Sequence, residues 1–176
     1  FYAKDGSYTY DFSYDDEVIC GNTRPDVEGV IGSSLNWKGF SVSLNFRYQM
    51  GADVFNEALY SKVENISRSD LNKNQDKRAL YERWQEEGDI VRFKNIASAE
   101  TTPMSSRFVQ EENVLTLESV YLGYEFYDGW IKKLGLSSLK FQVSMRDVFR
   151  ASTIRSERGI SYPFARSMEA GLSFNF

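Results

Sequence analysis

Residues 40–50 read FSVSLNFRYQM and decide the fold, because apolar and polar side chains alternate along them without a break. One face of the run carries Phe40, Val42, Leu44, Phe46, Tyr48 and Met50, and the other carries only polar residues. A period of two is typical of a β-strand whose two faces meet different surroundings. The 11 residues of the run also match the roughly 9–11 that a tilted strand needs to cross a membrane.

The same alternation recurs in four other segments, so the sequence predicts five strands: 29–37, 40–50, 114–126, 139–148 and 166–176. The segment 114–126 is mixed. Strict alternation from Leu122 places Leu115 and Leu117 on the opposite face, and Glu118 interrupts the apolar row. We therefore expect an all-β, antiparallel fold with this one strand irregular.

The connections between the predicted strands differ in length in an ordered way. Lys38-Gly39 leaves room only for a tight turn, whereas 51–113 forms a 63-residue excursion, the 127–138 link is moderate, and 149–163 is again a longer polar loop. Short turns at one end and long loops at the other are typical of an outer-membrane barrel, and so long an excursion is uncommon in a compact soluble domain. With the last strand running inward, the Lys38-Gly39 turn and the 127–138 link both fall on the periplasmic side.

Composition excludes several classes of function. The 176 residues carry a net charge of −4, no histidine and one cysteine, Cys20, with a mean hydropathy of −0.47 and a pI near 5.0. A basic nucleic-acid-binding face is not expected, and histidine-dependent triads, internal disulfides and CxxC sites are excluded. No apolar run is long enough for a transmembrane helix. No catalysis is predicted, so the chain is not expected to be an enzyme.

Five strands are too few to close a membrane barrel, whose open edges would leave backbone groups unpaired in lipid. We therefore expect these strands to complete a larger barrel as the C-terminal part of a longer polypeptide. The predicted organisation is a loop with the possible end of a preceding strand at 1–28, a wall hairpin at 29–50, a long extracellular loop with a short helix at 51–113, and the last three strands at 114–176. Within the loop, Asn74, the pair Leu80 and Trp84, and Gly88 predict a helix over 74–88.

Six blocks of sequence, in order, resemble the C-terminal barrel segment of SusC-like (SusC/RagA-type) TonB-dependent outer-membrane transporters. They are Gly21-Asn22-Thr23-Arg24-Pro25 with Gly29, Trp37-Lys38-Gly39-Phe40 with Gly51 and Asn56, Arg83-Trp84 with Gly88-Asp89, Ser106-Arg107-Phe108-Val109 with Leu122-Gly123-Tyr124, Tyr162-Pro163 with Arg166, and the terminal Phe174-Asn175-Phe176. Each block is weak alone, and the series covers most of the chain beyond about residue 15.

The resemblance implies a transporter in the outer membrane of a Gram-negative, Bacteroidota-type bacterium. Such proteins form a barrel of about 22 strands around a plugged lumen. The implied partners are the plug and the other strands of the same transporter, a SusD-like surface lipoprotein, the TonB complex and the lipid bilayer. The implied substrates are glycans, oligosaccharides or peptides. The aromatic ends Phe174 and Phe176 correspond to the signal that the barrel-assembly machinery recognises.

Candidate site residues follow from the predicted faces and loops, and each has a structural alternative. Polar strand residues should face the lumen, where they could contact plug or substrate or serve only as solvated wall: Arg47, Gln49, Lys140, Gln142, Arg146 and Glu169. Tyr81, Arg83 and Trp84 could contact ligand or the lipoprotein, or form a small core inside the loop.

No cofactor is expected, although an acidic cluster could bind Ca²⁺ or be a solvated loop: Asp5, Asp11, Asp15, Asp16 and Glu17. The alternatives for the whole chain are a soluble β-sandwich carbohydrate-binding module and a non-transport barrel such as an anchor or adhesin. The predicted girdle of interface aromatics comprises Trp37, Tyr127, Trp130 and Phe176.

Overall fold

The structure is a computed structural model that describes residues 2–155 and 166–176. Its backbone divides into two compact units. We call Phe1–Thr23 with Asp53–Glu111 the loop unit, and Arg24–Ala52 with Glu112–Phe176 the strand unit. The Tyr162-Pro163 motif lies outside the described residues. Within the described ranges, no helix is both long and apolar enough to cross a membrane.

Five strands form one sheet in chain order, which confirms the predicted all-β architecture. They are β1 Val27–Trp37, β2 Phe40–Phe55, β3 Val109–Phe126, β4 Ser138–Ser152 and β5 Met168–Asn175. The β1–β2, β3–β4 and β4–β5 ladders are antiparallel. Backbone hydrogen bonds from Glu125 to Gly39 (2.9 Å) and from Asn56 to Phe108 (2.8 Å) join β2 to β3 in the same sense.

Four strands are longer than their sequence patterns predict, β1 by the two residues Val27 and Glu28. Alternation in β2 stops at Met50 because Gly51, with φ +79°, interrupts the regular backbone, yet the strand continues to Phe55. β3 begins at Val109, five residues before its predicted start. β4 runs through residues 149–152, which were predicted as polar loop, because Phe149 pairs with Leu117 and Ser152 pairs with Val114. Pairing with a neighbouring strand, which hydrophobic periodicity does not report, extends these strands.

The β1–β2 hairpin has the predicted tight turn. Trp37 pairs directly with Phe40, and the two turn residues, Lys38 and Gly39, have φ values of +47° and +88°. Positive φ at both central positions defines the type I′ turn that suits twisted strands. The register then places apolar side chains opposite one another, as in Leu35 with Val42 and Ile31 with Phe46.

An irregularity at Glu118 explains the mixed pattern of β3. The β3–β4 register shifts between Leu117 and Ser119. The ring of Phe149 lies 6.5 Å from that of Phe46, so Phe149 and its partner Leu117 share the apolar face of β2. The expectation that Leu115 and Leu117 face away from the apolar surface is therefore wrong. At this point two steps along β3 span three along β4, so the extra residue belongs to β4, where Asp147 has φ +51°. Glu118, opposite this irregularity, pairs with Arg47.

Short helices complete the chain. α1 spans Glu57–Leu59 and continues as a π-helix over Tyr60–Glu64, and α2, Gly129–Lys133, joins β3 to β4. Single 3₁₀ turns occupy Tyr14–Asp16, Arg68–Asp70, Lys77–Leu80 and Ser106–Phe108. The loop unit has its own small core of buried side chains, namely Leu59, Val63, Phe93 and Phe108.

The helix predicted over 74–88 is wrong. Only Lys77–Leu80 forms a 3₁₀ turn, and its cap is Asp76, whose carboxylate accepts a hydrogen bond from the Arg78 N–H at 2.9 Å. Beyond it, Glu82 has φ +55° and the chain forms a parallel bridge between Arg83 and Phe93. Tertiary pairing with residue 93 replaces the local helix that the spacing favours.

Candidate functional site

The sheet of the strand unit presents two chemically different faces. One face carries paired apolar residues, as in Tyr124 with Phe141 and Phe141 with Leu172. These side chains are not buried: Ile31 is 60% exposed, Leu35 63% and Leu172 59%. An apolar surface this continuous marks contact with an apolar medium or partner.

The lumen-facing candidates all lie on the other face. Register places Arg47 opposite Val30, Lys140 opposite Glu125, Arg146 opposite Ser119 and Glu169 opposite Ser144. Gln142 lies between Gly123 and Gly171 on the flanking strands, and Gln49 donates to Glu28 at 3.4 Å. The structure therefore brings the six residues onto one surface; their contact with plug or substrate stays a prediction.

Side chains on the polar face bind one another across the strands. Arg47 pairs with Glu118, and Glu112 accepts hydrogen bonds from Arg150 at 2.9 Å and from the Ser152 hydroxyl at 2.7 Å. Further contacts join Asn45 to Ser119 (2.9 Å) and the Tyr121 hydroxyl to the Gln142 side-chain oxygen (3.1 Å). Hydrogen bonds and ion pairs of this kind, made across neighbouring strands, are typical of a sheet surface that water solvates.

Aromatic side chains gather where the β1–β2 hairpin, the α2 connection and β5 end. The Phe40 and Tyr124 rings lie 4.4 Å apart, and Phe126 and Trp130 are 5.7 Å apart. Of the predicted girdle, Trp37, Tyr127 and Trp130 are at least half exposed and Phe176 is 91% exposed. Amphipathic rings in this position suit the boundary between lipid and water.

A buried carboxylate organises the loop unit. Glu64 is only 2% exposed and accepts hydrogen bonds from Arg107 and from the Thr102 hydroxyl, both at 2.7 Å, and from the Lys94 N–H at 3.3 Å. Burial raises the pKa of Glu64, but these bonds and the Arg107 charge outweigh it, so the pKa lies below its usual value. Glu64 is thereby held ionised and ties three loop segments together.

The three loop candidates have different environments. Arg83 is 8% exposed, and its guanidinium donates to the carbonyls of Ala79 (2.6 Å), Lys94 (2.9 Å) and Val63. Burial lowers the pKa of Arg83, which is compensated in part by Glu64. Arg83 therefore supports the loop from inside, whereas Tyr81 (57% exposed) and Trp84 (41%) remain accessible.

The turn after Trp84 is fixed by one carboxylate. Asp89 accepts backbone hydrogen bonds from Gln85 at 2.9 Å and Glu86 at 3.1 Å, and these bonds lower the pKa of Asp89. The next residue, Ile90, is fully exposed. The Gly88-Asp89 motif thus sets the shape of an exposed loop tip.

The N-terminal acidic residues are not assembled as a cation site. Within residues 2–155 and 166–176, no three Asp, Glu, His or Cys side chains converge to hold a metal. Asp5 accepts from the Ser7 hydroxyl at 2.7 Å and Asp16 from the Lys4 N–H at 2.9 Å. Asp5 thus serves a local turn, and Asp16 ties the Tyr14–Asp16 turn to Lys4.

Sequence reasoning missed Glu64, Thr102 and Arg107 as a cluster. Each lies in a polar stretch of the long loop with no periodicity, and the three are brought together only by folding. A sequence signal for the cluster was the pair of apolar residues next to it in the chain: Val63 precedes Glu64 and Phe108 follows Arg107, and both are fully buried.

Comparison with known proteins gives one curated relative. The chain is 24% identical over 153 residues to the TonB-dependent receptor P39 of Formosa agariphila, a match that covers 85% of this chain and 14% of the relative. No family model matches the sequence.

Solved structures share the fold. The structure of the RagAB peptide importer in the open-open state matches with a TM-score of 0.72 at 19% identity, over 98% of this chain and 19% of that one. The closed-closed state gives 0.69 at 20% identity, over 98% and 20%. The chain thus spans about a fifth or less of each relative. These matches confirm the resemblance to SusC-like TonB-dependent transporters and the partial-barrel fold.

Proposed function

We propose that this chain is part of the barrel wall of an active outer-membrane importer, TonB-dependent and SusC-like, and supplies five of its strands. The whole barrel would have about 22 strands and a plugged lumen. The chain would contribute wall and loops, while the plug and the TonB contact would lie in other parts of the transporter.

The observation that carries the proposal is the contrast between the two faces of one sheet. The apolar face is exposed along β1, β2, β4 and β5, and the opposite face is polar with charges paired across the strands. Lipid outside and water inside stabilise this arrangement, whereas water on both sides would leave the apolar face without cover.

The substrates we propose are peptides or glycans, taken up together with a SusD-like lipoprotein. The name of the RagAB peptide importer supports peptides. The exposed Tyr81 and Trp84 are the residues of this chain best suited to contact a lid, since aromatic rings are common interface anchors. Arg47, Gln49, Lys140, Gln142, Arg146 and Glu169 would form the lumen wall.

Uptake by whole cells tests the function. Cells that lack the full-length protein should lose accumulation of fluorescent oligopeptides or oligosaccharides, and complementation should restore it. Dissipating the proton-motive force should abolish accumulation but leave surface binding intact. Unchanged accumulation in the deletion strain would overturn the proposal.

Two alternatives make different predictions. A soluble carbohydrate-binding sandwich would need a second sheet over the apolar face, but the described residues form a single sheet. It would also remain in solution without detergent. A barrel that only anchors or adheres would fractionate with the outer membrane, and its deletion would not alter uptake.

A further inference from the structure

A groove crosses the loop unit between its N-terminal segment, residues 2–20, and residues 102–109. Its volume is about 980 Å³, the upper part of the range typical of small-molecule sites. Phe12, Val18 and Met104 line it and are exposed, Met104 by 61%. The groove therefore offers accessible apolar contacts for a ligand.

One cation on the groove wall is held in a fixed position. The Arg107 guanidinium donates to Glu64 at 2.7 Å and to the Arg92 carbonyl at 2.9 Å, and it lies 4.7 Å from the centre of the Phe108 ring. Its side chain nevertheless remains 45% exposed. A planar guanidinium held in this way has donors left for a second carboxylate, which it can bind with two parallel hydrogen bonds.

The charges of the two walls are complementary in sign to a dipolar ligand. Arg107 belongs to the 102–109 wall, while the facing N-terminal segment contributes the carboxylates of Asp11, Asp16 and Glu17, together with Lys4. A ligand with a carboxylate at one end, an ammonium at the other and apolar groups between would match this distribution.

We propose that the groove binds a short peptide, with its C-terminal carboxylate on Arg107 and its apolar side chains against Phe12, Val18 and Met104. This inference rests on the proposed import function and names the substrate class of these loops. A neutral glycan fits less well, because it offers no charge to complement either wall.

The test is calorimetry on the full-length protein purified in detergent. The probes are a synthetic pentapeptide of alanine and leucine with a free carboxylate, the same peptide amidated at its C-terminus, and maltopentaose. The free-acid peptide should bind about tenfold or more tightly than the amide, since a charge-assisted hydrogen bond is lost on amidation. Maltopentaose should not compete with it.

Variants locate the binding. Met104→Glu adds a negative charge to the groove and should weaken the free-acid peptide about tenfold, while Leu80→Glu, equally exposed in the same unit but outside the groove, should not. The double variant Arg107→Gln with Glu64→Gln removes the cation without leaving a buried charge unpaired and should abolish the preference for the free acid.

Equal binding of acid and amide, equal effects of the two glutamate variants, or competition by maltopentaose would each overturn the site. Cells that import labelled peptide while the purified protein binds neither probe would refute the groove but leave the import function standing. Binding that follows the predicted preferences in a protein whose deletion leaves uptake unchanged would support the groove and refute the import function.

Discussion

Phe46 of β2 and Phe149 of β4 approach to 6.5 Å between ring centroids, although β3 lies between their strands. The contact shows that Phe149 lies on the same face of the sheet as Phe46. Leu117 of β3, which pairs directly with Phe149, lies on that face too. The apolar surface therefore continues over β2, β3 and β4 across the shift in the β3–β4 register between Leu117 and Ser119. In the proposed orientation, this surface lies against lipid.

A charge in the middle of that surface should block assembly. Leu44 lies on the apolar face of β2, opposite Ser33. We expect Leu44→Arg to cost about 2–4 kcal/mol if the position is near the bilayer midplane, and to reduce the amount of protein in outer-membrane fractions. Ser43→Arg, the neighbour on the polar face and opposite Ser34, is the matched control and should assemble normally. Equal tolerance of both substitutions would contradict the assignment of faces.

The hairpin turn should depend on glycine for two separable reasons. Gly39 has a φ of +88°, which residues with a side chain rarely adopt, and a Cβ built there would lie 2.5 Å from the Glu125 carbonyl oxygen. Gly135 also has a positive φ, +76°, but a Cβ built there would meet nothing within 4 Å. Positive φ alone costs an alanine about 1–2 kcal/mol. Gly39→Ala should therefore lower the temperature at which the barrel loses its compact mobility on gels by more than Gly135→Ala does. Identical shifts would argue against close β2–β3 contact at this turn.

Stability of the long loop should depend on pH through Glu64. The pKa of Glu64 is depressed in the folded loop below its ordinary value of 4.5, so its contribution is fully present above about pH 4.5 and is lost as the pH falls through the folded-state pKa. Pepsin should cut residues 53–111 of the full-length protein increasingly below that pH. Glu64→Gln should already be cut at higher pH, because it leaves Arg107 without its buried partner.

Glu87→Gln, at an exposed position of the same loop, is the control and should behave like the wild type. A wild-type loop that is cut equally at pH 5 and pH 3 would show that the Glu64–Arg107 pair does not hold it together.

Phe176 should matter for assembly more than for stability. Phe176 is 91% exposed and so contributes little packing. Phe176→Ser should lower the amount of protein in the outer membrane without changing the denaturation temperature of the fraction that assembles. Tyr10→Ser replaces another exposed aromatic residue and should change neither. Normal levels of the Phe176 variant would remove the proposed role in recognition by the assembly machinery.

The strands and their faces could be predicted from the sequence because a period of two is a local property. It identified the Trp37–Phe40 turn and the shared face of Arg47, Lys140 and Glu169. Irregular positions could not be predicted in this way. Glu118 lies where the β3–β4 register shifts, and this shift exists only because the two strands pair.

The long loop shows the same limit more strongly. Leu80 and Trp84 have helical spacing, but the chain turns at Glu82 to pair with Phe93. The Glu64 cluster joins residues 30 to 43 positions apart in the chain. Contacts of this range leave no periodic trace in the sequence.

We expect the apolar face of this sheet to meet lipid and the polar face to meet water. The direct test attaches bimane to single cysteines in the full-length protein, with Cys20 replaced by serine, reconstituted in bilayers of brominated lipid. Labels at Val42, Phe141 and Leu172 should be strongly quenched, and labels at Ser43, Gln142 and Ser173 should not. Quenching confined to the second set, or equal in both, would contradict the account.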